Sequence, residues 1–166
     1  SLRKERNLPG INFNDDEQLE ILNKFDFNDE LLQFPLIKKS NEREYQYNCD
    51  AFSSGDGEYL YNMIRHFKPK RIIEIGCGDS TLMAQNGIKK NFLESADNKC
   101  EHICIEPYER PWLEELGITV IREKVEDVGL EIFKSLNKND ILFIDSSHMI
   151  RPQGDVLFEY LELLPI

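Results

Sequence analysis

Three acidic residues stand at or near the ends of short apolar runs in this sequence. They are Glu74, Glu106 and Asp145. Runs of this kind, rich in β-branched residues, predict buried parallel strands, whose carboxyl ends meet at one edge of a sheet. A carboxylate is costly to bury unless it meets a hydrogen-bond donor or a cation. We therefore predict that these acids bind, along that edge, one ligand that carries a positive charge and hydroxyl groups.

The first acid precedes a turn that contains two glycines, Gly76-Cys77-Gly78-Asp79-Ser80. An apolar run that stops at two glycines predicts a buried strand turning sharply into a helix, capped by Asp79 or Ser80. Glycine allows a ligand to approach the main chain, and the free N–H groups of the new helix face that ligand. A nicotinamide fingerprint requires a third small residue at position 81, which is threonine. Glu74 would also repel a pyrophosphate, whereas it would hold the ammonium group of an amino acid.

The segment Glu74-Ile75-Gly76-Cys77-Gly78-Asp79-Ser80 resembles the first motif of the Rossmann-like (class I) S-adenosylmethionine-dependent methyltransferases. Ser80 stands where many members have a third glycine. The resemblance covers residues 53–166 and implies a three-layer α/β fold with a mostly parallel sheet in the order 3-2-1-4. It also implies S-adenosylmethionine as the cofactor. The alternatives are a strand–helix turn without a ligand, an NAD(P)-dependent oxidoreductase, and a non-catalytic cofactor-binding or interaction module.

The resemblance assigns roles at the cofactor site. An acid at the tip of the second strand accepts the ribose hydroxyls in dinucleotide-type folds, and Glu106 is the candidate. The segment 123–128 resembles the part that lies along adenine, with Val125 against the ring and Glu126 near the exocyclic amine. The implied cofactor-binding residues are Glu74, Gly76, Cys77, Gly78, Ser80, Glu106, Pro107, Val125, Glu126, Asp145 and Ser146. A solvated strand-end glutamate and an ordinary acidic helix start are the alternatives for Glu106 and Glu126.

The segment Asp145-Ser146-Ser147-His148 resembles the branch of this superfamily that methylates oxygen on small molecules. In metal-assisted members the acid after this strand binds a divalent ion such as Mg²⁺, and Asp145 occupies the matching position. His148 is the other candidate, as the base that takes the acceptor's proton. A structural histidine oriented by Asp145 is the alternative. The resemblance thus implies a small-molecule acceptor, with Asp145 and His148 as the catalytic residues.

Composition excludes some classes of partner. The chain has 31 acids against 20 bases and a net charge of −11, which argues against nucleic acid because phosphate binding depends on Lys and Arg. We find no apolar run approaching about 20 residues and no signal peptide, so we expect a cytoplasmic protein without a membrane partner. Cys49, Cys77, Cys100 and Cys104 lack paired C-x-x-C spacing, which predicts reduced thiols and no zinc site.

The chain divides into a polar N-terminal extension, residues 1–50, and a cofactor-binding domain, residues 51–166. The extension either covers the substrate or serves packing only. Methyltransferases of this class continue with further strands after the fourth, and the resemblance therefore predicts a domain whose C-terminal strands are missing. A fourth strand with an unpaired apolar edge would promote aggregation. We therefore expect the chain to be a fragment of a longer enzyme, or to pair with another chain, for example as a homo-oligomer.

Overall fold

The computed structural model describes residues 12–37, 43–108 and 110–166. Its four strands are β1 (Arg71–Ile75), β2 (Glu101–Ile105), β3 (Thr119–Ile121) and β4 (Ile141–Ile144). Its α-helices are α1 (Asp15–Leu22), α2 (Asn28–Leu31), α3 (Ser54–Phe67), α4 (Asp79–Glu94), α5 (Glu131–Lys134) and α6 (Asp155–Phe158). Three short 3₁₀ segments, Ala96–Asn98, Pro111–Leu116 and Val125–Asp127, connect them, and α6 continues as a π-helical turn, Glu159–Leu163. None of the helices in these ranges combines the length and the apolar composition needed to cross a membrane.

The strands form one parallel sheet in the order β3-β2-β1-β4. This is a Rossmann-like α/β arrangement, and both the fold class and the strand order agree with the sequence prediction. In the register of the sheet, Glu74 of β1 lies beside Cys104 of β2 on one side and beside Phe143 of β4 on the other. The centre of the sheet therefore carries an acidic side chain in an otherwise apolar strand.

Helices cover both faces of the sheet, as the alternation of side chains along a strand requires. On one face, Ile72 packs with Ile64 of α3 and Met83 of α4 in a buried cluster. On the other face, Ile73 packs with Phe133 of α5 and with Leu163 beyond α6. The even-numbered residues of β1, including Glu74, consequently face α3 and α4.

Helix α4 is longer than the sequence predicts. The polar stretch from Asn91 to Lys99 predicts a surface loop after a helix that runs from Ser80 towards Lys90, but the helix continues to Glu94. Asn91 is the reason, since it is only 3% exposed and donates a hydrogen bond of 2.8 Å to the Ile64 carbonyl of α3. A polar residue that ties two helices together resembles a loop residue in the sequence alone.

An ion-pair network fixes the described part of the N-terminal extension. Glu30 of α2 accepts a hydrogen bond of 2.7 Å from Arg65, whose side chain is 1% exposed, and another of 2.7 Å from Tyr61. Arg65 also pairs with Glu94 at the end of α4. Capping residues at positions 15–16 and 28–29 predict two short helices in this extension, and α1 and α2 begin at these positions. Residues 1–11 and 38–42 of the predicted extension lie outside the described residues.

The last helix packs through a different face from the one that the sequence predicts. Its sequence predicts an amphipathic helix, capped by Asp155, with Tyr160, Leu161 and Leu164 on the apolar side, but these three residues are 63%, 69% and 55% exposed. The buried positions are Asp155, Glu159 and Leu163, which recur every four residues along the helix. The two acids face inward because the loop after β4 supplies hydrogen-bond donors for both of them.

Candidate functional site

A cleft of about 310 Å³ opens at the carboxyl edge of the sheet, beside β1, β2 and β4. Most of the residues predicted for the cofactor site line it, namely Gly76, Cys77, Gly78, Ser80, Glu106, Pro107, Val125, Glu126, Asp145 and Ser146. Glu74 and His148 do not. Sequence analysis did not identify the three basic residues of the lining, Arg110, Lys124 and Arg151, because each is an isolated cation in a loop.

The two glycines of the turn differ in what they allow. Gly76 has a φ of +81°, and a Cβ at this position would lie 2.0 Å from the carbonyl oxygen of Asp145. Only glycine therefore permits β1 to turn this close to the end of β4. Gly78 is extended, and the nearest atom to its Cβ position is Nη1 of Arg110, at 3.6 Å. Gly76 is thus required by the fold, whereas Gly78 keeps the backbone accessible from the cleft.

Glu106 is fixed at the floor of the cleft by two backbone donors. The N–H of Cys77 donates to Oε2 over 3.1 Å, and the N–H of Tyr108 donates to Oε1 over 2.9 Å. The residue is 6% exposed. Each carboxylate oxygen has a further lone pair, so Glu106 can still accept hydrogen bonds from a ligand. This is the position that the sequence predicts for a ribose-binding acid.

Glu74 lies beneath the glycine turn and outside the lining of the cleft. Its side chain is 1% exposed and accepts hydrogen bonds from Ser80 Oγ at 2.6 Å and Thr81 Oγ1 at 3.0 Å. His102 Nε2 lies 2.9 Å from its other oxygen. The structure therefore does not bring Glu74 to a ligand's ammonium group as predicted, because alternation along β1 directs its carboxylate toward α4. Ser80 likewise uses its hydroxyl on Glu74.

Two cysteines far apart in the sequence join this buried group. The possible ligand atoms of Glu74, Cys77 and Cys104 all lie within 4.8 Å of one another. Both cysteines are buried, and all four cysteines of the chain are free thiols, as predicted. Sequence spacing gave no sign of the cluster, since one cysteine comes from the turn after β1 and the other from β2. The alternation of His102, Cys104 and Glu106 along β2 is the signal that could have indicated a shared polar face.

Asp145 and His148 form a hydrogen-bonded pair after β4. His148 Nε2 lies 2.6 Å from Asp145 Oδ1, and the histidine side chain is 74% exposed. His148 has a φ of +59°, a conformation that costs a non-glycine residue free energy and is often found at functional sites. Because Nε2 is engaged, Nδ1 is the ring nitrogen that has no partner among the described residues. A histidine held by a carboxylate in this way can act as a base.

Asp145 lies between the cleft and a second groove. This groove has a volume of about 500 Å³ and runs along α3 and β4. Its apolar lining includes Phe52, Met63 and Phe143, and His148 lies at its polar end. A molecule in the groove would therefore contact the Asp145–His148 pair.

Two carboxylates of the last helix hold Ser146 and Ser147, which lie between the two members of the pair. Asp155 accepts hydrogen bonds from the N–H and the hydroxyl of Ser147, at 2.8 and 2.7 Å. Burial raises the pKa of Asp155, but these hydrogen bonds outweigh it and hold the pKa below its ordinary value. Glu159 accepts a hydrogen bond of 3.1 Å from Ser146, while its Oε1 is buried without a partner. Burial raises the pKa of Glu159, and the nearby Asp155 carboxylate adds to the rise.

Asp145 has few neighbours among the described residues that could share a metal ion. Within residues 12–37, 43–108 and 110–166, no group of three possible ligand side chains includes Asp145. One of its oxygens is also engaged by His148. Mg²⁺ is commonly held by one or two carboxylates together with water and substrate oxygens, so a metal at Asp145 stays a prediction.

Comparison with known proteins adds a distant relative and no function. No family model matches the chain. An uncharacterized protein of Archaeoglobus fulgidus is 32% identical over 147 residues, which cover 84% of this chain and 64% of the relative. The chain thus spans just under two thirds of the length of the relative that it matches.

Proposed function

We propose that this chain is an S-adenosylmethionine-dependent methyltransferase that transfers a methyl group to an oxygen of a small molecule. The observation that carries the proposal is the position of Glu106, a carboxylate fixed to the glycine turn with its remaining lone pairs available in the cleft. Acids at this point of a parallel sheet accept the two hydroxyls of a ribose. The methyl acceptor and the partners of the whole enzyme are likewise part of what we propose.

The lining of the cleft offers a partner for each part of this cofactor. Glu106 would accept the ribose hydroxyls, Val125 would pack against the adenine ring, and Glu126 would accept a hydrogen bond from its amino group. Arg110, beside Gly78, would pair with the carboxylate of the methionine part. When bound, the cofactor supplies an electrophilic methyl group on a sulfonium centre.

Asp145 and His148 would act on the acceptor. Asp145 orients the imidazole through Nε2, so that Nδ1 can take the proton from the acceptor hydroxyl. A general base of this kind raises the reaction rate about 10²–10⁴-fold. Correct placement of the two reactants corresponds to effective molarities of about 10⁵–10⁸ M. Positioning of the two molecules by the cleft and the groove would therefore supply most of the rate enhancement, and no step requires a metal at Asp145.

An NAD(P)-dependent oxidoreductase is the second candidate, and one observation favours it. The buried position of Glu74 removes the repulsion that the sequence predicts between this acid and a pyrophosphate. A second observation disfavours it, since Thr81 Oγ1 accepts the N–H of Gly78 over 3.0 Å. That donor is therefore not free to bind a pyrophosphate at the turn.

Calorimetric titration separates the two candidates. We expect S-adenosylhomocysteine, the cofactor's product, to bind with one-to-one stoichiometry, and NAD and NADP to give no heat of binding. Tight binding of a nicotinamide dinucleotide without binding of S-adenosylhomocysteine would reject the methyltransferase. Transfer of a labelled methyl group to a panel of hydroxylated compounds then tests catalysis, and binding without transfer would indicate a non-catalytic module.

A further inference from the structure

The buried group beneath the glycine turn has the composition of a metal site. Glu74, Cys77, His102 and Cys104 are 1%, 4%, 4% and 0% exposed. Cys104 Sγ lies 3.6 Å from Glu74 Oε2 and 3.7 Å from His102 Nε2, and these last two atoms are 2.9 Å apart. A tetrahedral zinc ion with bonds of about 2.0–2.3 Å holds its ligand atoms about 3.3–3.8 Å apart. Three of the atoms therefore already lie close to the required separations.

Cys77 is the fourth ligand and comes from the turn. Its Sγ lies within 4.8 Å of the Glu74 and Cys104 ligand atoms. Cys77 also lines the cleft, whereas the other three residues do not. Cys77 is therefore the member of the group that lies between the buried side chains and the cleft.

The surrounding side chains orient the ligands in the way that known metal sites require. Ser80 and Thr81 donate to Oε1 of Glu74 and leave Oε2 facing the cysteine and the histidine. The Gln85 side-chain amide lies 2.9 Å from Nδ1 of His102. A zinc-bound His102 would carry its proton on Nδ1, so the amide would turn its oxygen toward the ring to accept that proton while Nε2 faces the group. Hydrogen-bonded second partners of this kind hold metal ligands in place and are found in most histidine–metal sites.

We propose that Glu74, Cys77, His102 and Cys104 bind a zinc ion as a closed, four-coordinate structural site beneath the cofactor cleft. Two thiolates, an imidazole and a carboxylate form a ligand set that suits Zn²⁺ and leaves no open position for a substrate. On binding, the two thiols would release their protons to solvent, and the proton of a neutral His102 would move from Nε2 to Nδ1, so that the imidazole binds without a net loss of its proton.

The site would connect the metal to ligand binding in the cleft. The N–H of Cys77 donates to Glu106, so an ion that fixes Cys77 also fixes the donor that orients the predicted ribose-binding acid. The metal site itself does not depend on the proposed methyltransferase activity. It could stabilise the turn whichever nucleotide the cleft binds.

Metal analysis of the wild-type chain is the first test. We expect the reduced protein, purified without chelator and dialysed, to contain about one zinc ion per chain by mass spectrometry. Cobalt substitution of the chelator-treated protein should give the visible absorption of a tetrahedral ion and a near-ultraviolet thiolate charge-transfer band. Less than a tenth of an equivalent of zinc, with no such spectrum after cobalt addition, would overturn the proposal.

Matched cysteine variants give the second test. Cys104→Ser should lose the bound zinc and the thiolate band, whereas Cys100→Ser, from the residue just before β2, should retain both. Retention of one zinc ion by Cys104→Ser would overturn the assignment. If Cys104→Ser fails to fold, as circular dichroism would reveal, Cys77→Ser replaces it, and zinc retention by that variant would equally reject the site. Calorimetry with S-adenosylhomocysteine on the same samples keeps this result separate from the proposed function.

Discussion

The carboxylate of Glu106 accepts a hydrogen bond of 3.1 Å from the backbone N–H of Cys77. The proposed ribose-binding acid is thus attached to the glycine turn, and it cannot move without disturbing the other wall of the cleft. Charged hydrogen bonds to a ligand contribute about 1.5–3 kcal/mol each, and 1.4 kcal/mol corresponds to a tenfold change in affinity. We therefore expect Glu106→Gln to weaken S-adenosylhomocysteine binding at least about tenfold by calorimetry.

Glu101→Gln is the matched control for this variant. Glu101 lies on the same strand but pairs with Arg71 at the exposed, opposite end of the sheet. Its replacement should leave the affinity unchanged. Equal affinities of wild-type and Glu106→Gln protein, with both folded by circular dichroism, would contradict the assignment of the ribose site.

Replacement of Glu74 should affect stability, since the residue lies outside the cleft. Glu74→Ala leaves Ser80, Thr81 and His102 without their shared acceptor in a buried environment. Loss of one partner from such a group costs about 3–5 kcal/mol. We expect urea denaturation of the chelator-treated protein to show a decrease of this size. Glu101→Ala, which removes an exposed ion pair, should cost about 0–1 kcal/mol, and a similar cost for both variants would show that Glu74 is not structurally essential.

Gly76 and Gly117 permit a test of what the turn requires. Both have positive φ angles, +81° and +71°, but only the Cβ of a residue at 76 would meet another atom, the Asp145 oxygen at 2.0 Å. Gly117→Ala should lower the free energy of unfolding only by the conformational strain of a left-handed alanine, about 1–2 kcal/mol. Gly76→Ala should cost more, because β1 and β4 must also separate. If Gly76→Ala unfolded at a temperature or urea concentration as high as that of Gly117→Ala, the turn would be able to open without penalty.

His148 should affect turnover without affecting cofactor affinity. We choose His148→Asn, because asparagine tolerates the positive φ of this position better than alanine does. Once an acceptor is known, the variant should transfer labelled methyl groups about 10²–10⁴-fold more slowly, with unchanged S-adenosylhomocysteine binding. A normal transfer rate would assign His148 a structural role only.

Glu159 should make stability depend on pH. Burial raises its pKa in the folded state, so folding favours the protonated form. The ionised carboxylate therefore destabilises the fold at pH values above its raised pKa, and this cost disappears as the pH falls below the unfolded value of about 4.3. We expect Glu159→Gln to raise the unfolding temperature by roughly 2–4 °C at pH 7.

The pH profile provides the internal control. The difference between Glu159→Gln and wild type should shrink toward zero near pH 4, since both side chains are then uncharged. A difference that is constant from pH 4 to 8, or an unfolding temperature lowered at pH 7, would show that the ionised form of Glu159 is well accommodated.

The topology could be predicted from the sequence, because four apolar runs, each followed by polar residues, specify a parallel sheet and its edge. The side to which Glu74 points could not be predicted from its proximity to the glycines. It follows from the period of two along β1, which places Glu74 on the same face as Ile72 and against α4. The inward orientation of Glu159 could not be predicted either. This acid stands in a helix that contains several apolar residues, and its orientation depends on Ser146, thirteen residues earlier.

His148 and Gln153 both hold left-handed backbone conformations, and the loop containing them is tied down by Asp145 at its start and Asp155 at its end. Such conformations persist only where neighbouring contacts enforce them. The position of the imidazole is therefore set by two carboxylates rather than by the local preferences of the loop. Acidification that neutralises Asp155 would allow the segment to relax and carry the histidine away from the mouth of the groove.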